Sequence, residues 1–315
     1  MNEISQRTTL GKSEIQIPLM GTGAWAWGDR LFWGYGRGYQ DSDVKAAFDA
    51  SLVAGINFFD TAEIYGQGRS ERLLGKFVKT TDQPVVIATK FMPYPWRLWK
   101  GRLINALRNS LKRLDRTQID LYQVHWPFPP LPVETWADGL AEALEEGLAR
   151  AVGVSNYNES QMRRTYTVLE KRGFHLASNQ VEYHLLDRKV EFNGLLKACQ
   201  DLQVTLIAYS PLAQGVLTGK YTPANPPPGV RGRRYNQALL ERIQPLLRRM
   251  QEIGQAHGDK SPAQVALNWL ICKGTVPIPG AKNARQAQEN AGALGWRLDP
   301  SEVAMLDEAS AGLTR

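Results

Sequence analysis

The sequence predicts an α/β chain folded as a (β/α)8 TIM barrel, with an N-terminal β-hairpin and extra C-terminal helices. Three observations predict it. Short apolar, β-rich runs alternate strictly with segments of helical period, and such alternation implies a parallel sheet. Eight of these units fit within 315 residues, a number that suits a closed barrel better than an open doubly wound sheet. Asp60, Lys90 and His125 close successive apolar runs, at the strand ends where barrel enzymes keep their chemistry. No composition break marks a linker, so residues 1–315 read as one domain.

The elements follow in order. Residues 8–17 read as a hairpin turning at Gly11-Lys12, and 18–21 as the first barrel strand. Asp41 or Ser42 caps the first helix, whose Val44, Ala47, Phe48, Ser51 and Leu52 recur at helical spacing until Gly55. Strand 56–60, helix 70–79, strand 85–90 and helix 101–114 come next, the last with Leu103, Leu107, Leu111 and Leu114 on one face. Strand 119–125, helix 134–147, strand 150–154, helix 158–171, strand 177–181, helix 189–202 and strand 204–208 continue the pattern. A long Pro- and Gly-rich loop around Pro226-Pro227-Pro228-Gly229 precedes helices 237–257 and 261–272. It lies within the seventh strand-to-helix connection and reads as a functional loop. Strand 275–279, helix 283–292 and a last helix 300–309 complete the chain.

Composition is that of an ordinary globular protein, 43% hydrophobic and 22% charged. The formal charge is +7, which reads either as solubility or as attraction of an anionic small molecule such as a phosphorylated cofactor. Arg231-Gly232-Arg233-Arg234 is the only dense basic stretch and is too short to argue for nucleic acid. Cys199 and Cys272 lie in apolar helical patterns with no metal or redox spacing, and read as buried free thiols of a reducing compartment. Residues 1–7 hold no apolar signal core, and no run of eighteen apolar residues exists. The expectation is a cytoplasmic monomer with no membrane partner and no metal. Gly34-Tyr35-Gly36-Arg37-Gly38 mimics a dinucleotide-binding fingerprint, but its spacing is wrong and it follows no clear strand.

Tyr65 lies five residues beyond Asp60, and with Lys90 and His125 it makes a coherent proton donor. A free phenol titrates near 10. An adjacent ammonium favours the phenolate and draws that value down. The expectation is that Lys90 does this to Tyr65, that Asp60 holds Lys90, and that His125 orients a carbonyl or relays the proton. The set suits carbonyl reduction, where a proton reaches oxygen as hydride reaches carbon.

The motifs that carry a resemblance are specific in combination. They are Asn57-Phe58-Phe59-Asp60-Thr61-Ala62-Glu63-Ile64-Tyr65-Gly66, Ser70-Glu71-Arg72-Leu73-Leu74-Gly75 and Asp120-Leu121-Tyr122-Gln123-Val124-His125-Trp126-Pro127. Gly153-Val154-Ser155-Asn156-Tyr157, Asn179-Gln180-Val181-Glu182-Tyr183 and Ala208-Tyr209-Ser210-Pro211-Leu212 follow. Over nearly its whole length the chain resembles the aldo-keto reductases, barrels that use NADPH without a Rossmann domain and close their bottom with a hairpin. The resemblance implies that Ser155, Asn156 and Gln180 bind the nicotinamide carboxamide and that Tyr209 stacks beneath the ring. Ser210, Leu212, Gln214, Gly215, Leu217 and Lys220 are implied to line the pyrophosphate. Gly280, Lys282, Gln286, Glu289 and Asn290 are implied to meet the adenosine end, with Lys282 on the 2′-phosphate.

Aromatic residues gather in the loops of the expected mouth, and Trp25, Trp33, Phe91 and Trp126 are the expected substrate contacts. Arg97 and Lys100 read either as an attraction for an anionic substrate or as plain surface. The expected activity is NADPH-dependent reduction of aldehydes or ketones to alcohols. The alternative is a cofactor-sensing regulatory subunit with little turnover, because channel β subunits also resemble this family.

Overall fold

The computed structural model describes residues 7–313. The hairpin pairs β1 (Arg7–Thr9) with β2 (Gln16–Pro18). Eight parallel strands form the sheet: β3 (Thr22–Gly23), β4 (Phe58–Asp60), β5 (Val86–Phe91), β6 (Ile119–Val124), β7 (Ala149–Ser155), β8 (Leu176–Glu182), β9 (Thr205–Tyr209) and β10 (Val276–Pro277). They stand side by side in sequence order. The edges then meet: Gly21 N and Gly23 N donate to Pro277 O and Pro279 O at 3.0 Å, and Gly23 bridges Gly280 in parallel. The sheet is therefore a closed barrel.

The first barrel strand is not 18–21. Pro18 belongs to the hairpin, and the ladder begins at Thr22. Glycine explains the seam, because a Cβ on Gly23 would stand 2.9 Å from Ile278 O.

The hairpin plugs the bottom of the barrel. Leu10, Ile15 and Ile17 are buried against Phe58, Val86, Leu121, Ala151, Ala177, Ile207 and Val276, the inward residues of the lower strands. Gly11, at φ 56, lies so close to Ala177 that a Cβ would come within 2.5 Å of its carbonyl oxygen. With the lower end filled by apolar side chains, polar chemistry is confined to the upper end. A second core lies between the outer sheet face and the helices, with Phe48, Phe59, Leu107, Trp136 and Leu140 fully or almost fully buried. Each such side chain contributes about 1.5–3 kcal/mol relative to exposure.

Two expected helices are divided. The segment 189–202 breaks at Gly194 into Lys189–Phe192 and Leu195–Leu202. The segment 237–257 breaks into Gln237–Arg242 and Gln244–Ala256, with Pro245 in the first turn of the second. The long loop after β9 carries a short helix of its own, Val230–Arg234.

Candidate active site

The four residues of the expected proton donor meet at the top of the barrel. Asp60 ends β4, Lys90 is the penultimate residue of β5, and His125 follows β6, its N–H donating to Phe91 O at 2.8 Å. Tyr65 opens a 3-10 turn over Tyr65–Gly68. Lys90 is fully buried. Its ammonium donates to Asp60 Oδ1 at 2.5 Å and to Thr61 O at 2.8 Å, and reaches Tyr65 Oη at 3.5 Å. These contacts use all three of its hydrogens, which offsets the cost of burying a charge. Thr61 is held in turn, because its hydroxyl donates to Ser70 Oγ, which donates to Ala24 O.

Electrostatics in this cluster follow burial first. Burial lowers the pKa of Lys90, and Asp60 opposes that effect. Burial also pushes the Tyr65 hydroxyl well above 10, with Asp60 and then Tyr209 adding to it. The expected lowering of Tyr65 by Lys90 is therefore corrected. Asp60 cancels much of the ammonium's field, and loss of water dominates. His125 is driven well below 6.5 by burial and then by Lys90, so its imidazole is neutral at pH 7. Its ring meets Tyr65 edge-on at 5.8 Å, and its buried Nδ1 has no hydrogen-bond partner.

The residues implied to hold a carboxamide form one network beside this group. Ser155 Oγ donates to Gln180 O at 2.8 Å. Asn156, at φ 62, donates from Nδ2 to His125 O and Ser155 Oγ, and its Oδ1 accepts from Tyr209 Oη at 3.0 Å. Gln180 Nε2 donates across the barrel to Asp60 Oδ2 at 2.8 Å.

The groove continues over the loop after β9. Ser210 and Gln214 have positive φ, as does Gly215, so the backbone folds tightly there. The Leu217 side chain is fully buried in the core, and its N–H is taken by Leu212 O, so it offers the groove no side chain. Lys282 Nζ stands 4.8 Å from the Trp33 ring centre and 4.5 Å from that of Tyr39, and donates to Trp33 O at 3.1 Å. Burial, then Arg231 and Lys220, bring its pKa down to about 8, against a smaller opposing pull from Asp29. Three cations thus converge on one place, a donor set that fits a phosphorylated ligand. Gln286 accepts from Lys282 N, Asn290 donates to Gly280 O, and Glu289 accepts from Ser261 Oγ.

Arg231 is the residue that the sequence reading missed. Its guanidinium stacks 5.4 Å from Trp33 and donates to Tyr221 Oη at 3.1 Å. The available signal was its place in the loop after the seventh barrel strand. The same short helix is pinned by Arg234, which donates to Glu182 Oε1 at 2.7 Å. Burial alone would raise the Glu182 carboxyl, yet His184 and Arg234 hold it down to about 2.

At the mouth, Trp25 stacks on Tyr65 at 6.1 Å and on Phe32 at 4.9 Å, and Trp126 stacks on Phe128 at 5.4 Å. Trp33 meets Trp25 edge-on, and its ring face is turned to Lys282 and Arg231. Phe91 is not at the mouth. It is fully buried on the outer sheet face against Trp136, because strand side chains alternate and Lys90 takes the inward position. Arg97 pairs with Glu63 at 2.5 Å and Lys100 with Glu142 at 3.1 Å, so neither is a free attractor of anions. Among the described residues, no cluster of three or more His, Cys, Asp or Glu is disposed to hold a metal, and no helix is long and apolar enough to cross a membrane.

The sequence model of the Aldo/keto reductase family matches residues 19–311. The chain belongs to that family. It is 45% identical to a chloroplastic pyridoxal reductase of Arabidopsis thaliana, over 94% of this chain and 84% of the relative. It is 32% identical to a methylglyoxal reductase of Escherichia coli, over 97% and 95% of the two chains. Among solved structures it is similar to an aldo-keto reductase of Klebsiella pneumoniae in complex with NADPH. That similarity has a TM-score of 0.76, 28% identity, and coverage of 97% of this chain and 95% of that one. This chain is thus an aldo-keto reductase, an oxidoreductase by family.

Proposed function

We propose that this aldo-keto reductase uses NADPH to reduce aldehydes, with pyridoxal as the foremost substrate. The carrying observation is the buried Lys90–Asp60 pair with Tyr65 Oη 3.5 Å from the ammonium and His125 beside it. Pyridoxal is favoured by the 45% identity to a pyridoxal reductase and by the aromatic faces of Trp25 and Trp126 at the mouth.

The residues fit the cofactor. Ser155, Asn156 and Gln180 would hold the carboxamide, Tyr209 the ring face, and Lys220, Arg231 and Lys282 the phosphates. NADPH supplies the hydride when bound. The protein's part is to place the carbonyl and deliver the proton. A neutral His125 donates a hydrogen bond to the carbonyl oxygen and leaves room for Tyr65 Oη on the same atom. Tyr65 gives up its proton as negative charge develops there. Its raised pKa does not prevent this, because an alkoxide is a stronger base than a phenolate. Lys90, held by Asp60 and Thr61 O, then faces the phenolate and stabilises it until solvent returns the proton.

The test follows loss of NADPH absorbance with a panel of aldehydes, pyridoxal included. Tyr65→Phe is expected to lower turnover by roughly 10²-fold or more while leaving NADPH affinity nearly unchanged. Equal turnover in that variant would refute the assignment. Tight NADPH binding with no turnover on any aldehyde would favour the cofactor-sensing alternative.

A further inference from the structure

We propose that Asp60 also acts through Gln180, setting the orientation in which a nicotinamide carboxamide is accepted. The inference rests on the proposed cofactor and adds to it a positioning role for Asp60. Asp60 and Gln180 are each 2% exposed, and they come from strands on opposite sides of the barrel, β4 and β8. The Asp60 carboxylate is divided between two donors. Oδ1 takes Lys90 Nζ, and Oδ2 takes Gln180 Nε2 at 2.8 Å.

A primary amide has two ends of nearly equal shape, one an acceptor and the other a double donor. Packing alone hardly distinguishes them. A carboxylate does, because it can only accept. Asp60 therefore admits only the NH2 end of Gln180 and turns Oε1 away from itself. None of these neighbouring donors is given to Gln180 Oε1: the Ser155 hydroxyl goes to Gln180 O, Asn156 Nδ2 to His125 O, and the Tyr209 hydroxyl to Asn156 Oδ1. Gln180 Oε1 is thus a fixed acceptor. A carboxamide offers it an N–H, and that choice decides which way the carboxamide is turned. The same carboxylate holds Lys90, so the cofactor seat and the proton donor share one anion.

The experiment compares two ligands by quenching of tryptophan fluorescence. One is NADP+. The other is its 3-acetylpyridine analogue, which keeps the carbonyl but has a methyl group where the carboxamide has NH2. The wild type is expected to bind NADP+ roughly ten-fold more tightly than the analogue, the worth of one buried hydrogen bond. Asp60→Asn is expected to reduce that preference to about two-fold or less, since an amide at 60 no longer dictates which end of Gln180 faces it. Gln180→Leu, which leaves the Lys90–Asp60 pair in place, is expected to abolish it. Full preference retained in Asp60→Asn overturns the inference while leaving the cofactor proposal intact. If neither ligand binds the wild type, the cofactor proposal fails and the inference fails with it.

Gln180→Glu gives an independent measurement should Asp60→Asn not fold. Two carboxyl groups in contact share a proton. NADP+ affinity in that variant should change with pH, relative to the wild type, through a midpoint above the ordinary glutamate value of about 4.3. A pH profile parallel to that of the wild type overturns the proposed contact.

Discussion

Lys282 offers a direct test of where a 2′-phosphate would sit. Its ordinary value is 10.5, and burial with Arg231 and Lys220 brings it to about 8. Below that pH it is charged; above it, in the free protein, it is neutral. A phosphate dianion beside it would raise the value again, so binding would take up a proton at any pH above about 8. NADPH affinity should therefore be flat below about 8 and decline above it. Full recovery from about 8 to 10.5 corresponds to about 3 kcal/mol at 1.36 kcal/mol per pH unit. Lys282 is only half-buried, and solvent screening reduces this to about 1–2 kcal/mol, or roughly five- to thirty-fold in affinity. The assay is tryptophan fluorescence titration with NADPH and with NADH across this range. NADH, which has no 2′-phosphate, should show a shallower decline. Lys282→Met should bind NADPH weakly and remove the difference in slope. Parallel decline for both cofactors in the wild type, or a slope that survives in Lys282→Met, would refute the placement.

Three further outcomes are expected. Lys90→Met leaves the Asp60 carboxylate buried without its cation and should cost about 3–5 kcal/mol in urea unfolding, while Lys90→Met with Asp60→Leu should recover part of the loss. Glu182 is held down to about 2, so it contributes stability above its ordinary 4.5 that is lost as pH falls from there toward 2. Glu182→Gln should flatten that part of the stability profile, with a difference of up to about 3 kcal/mol between pH 6 and pH 2, read by denaturant midpoints. Trp126→Ala should raise KM several-fold for pyridoxal and leave it nearly unchanged for methylglyoxal, an aldehyde too small to need the stacked Trp126–Phe128 face. Equal effects on both aldehydes would remove Trp126 from the substrate wall.

Much of the barrel was legible because parallel strands buried on both faces read as apolar runs, and β4 to β9 lie within a few residues of their expected positions. The first strand was not. Thr22–Gly23 is short, carries no apolar signal, and owes its place to backbone approach at a glycine seam. Helix interruptions at Gly194 and before Pro245 follow local chemistry that a helical apolar pattern masks. At the site, strand ends brought Asp60, Lys90 and His125 together as expected, since one strand-end position recurs in each unit. Phe91 was misplaced by one step of the strand alternation. The direction of Tyr65 was misjudged because residue types disclose charges but not the burial that dominates here, nor how a paired carboxylate cancels a cation. Arg231 was passed over because its position depends on a loop folding back across the barrel.

The ion pairs of the mouth bear on which form of an aldehyde it can choose. Arg97 is tied to Glu63 and Lys100 to Glu142, whereas Lys282, Arg231 and Lys220 gather at the other end of the groove. A phosphorylated aldehyde would bring its dianion past these two internally neutralised pairs, which offer it little to offset lost hydration. On the proposed function, the enzyme should act on a vitamin aldehyde before phosphorylation and leave the phosphorylated coenzyme pool alone.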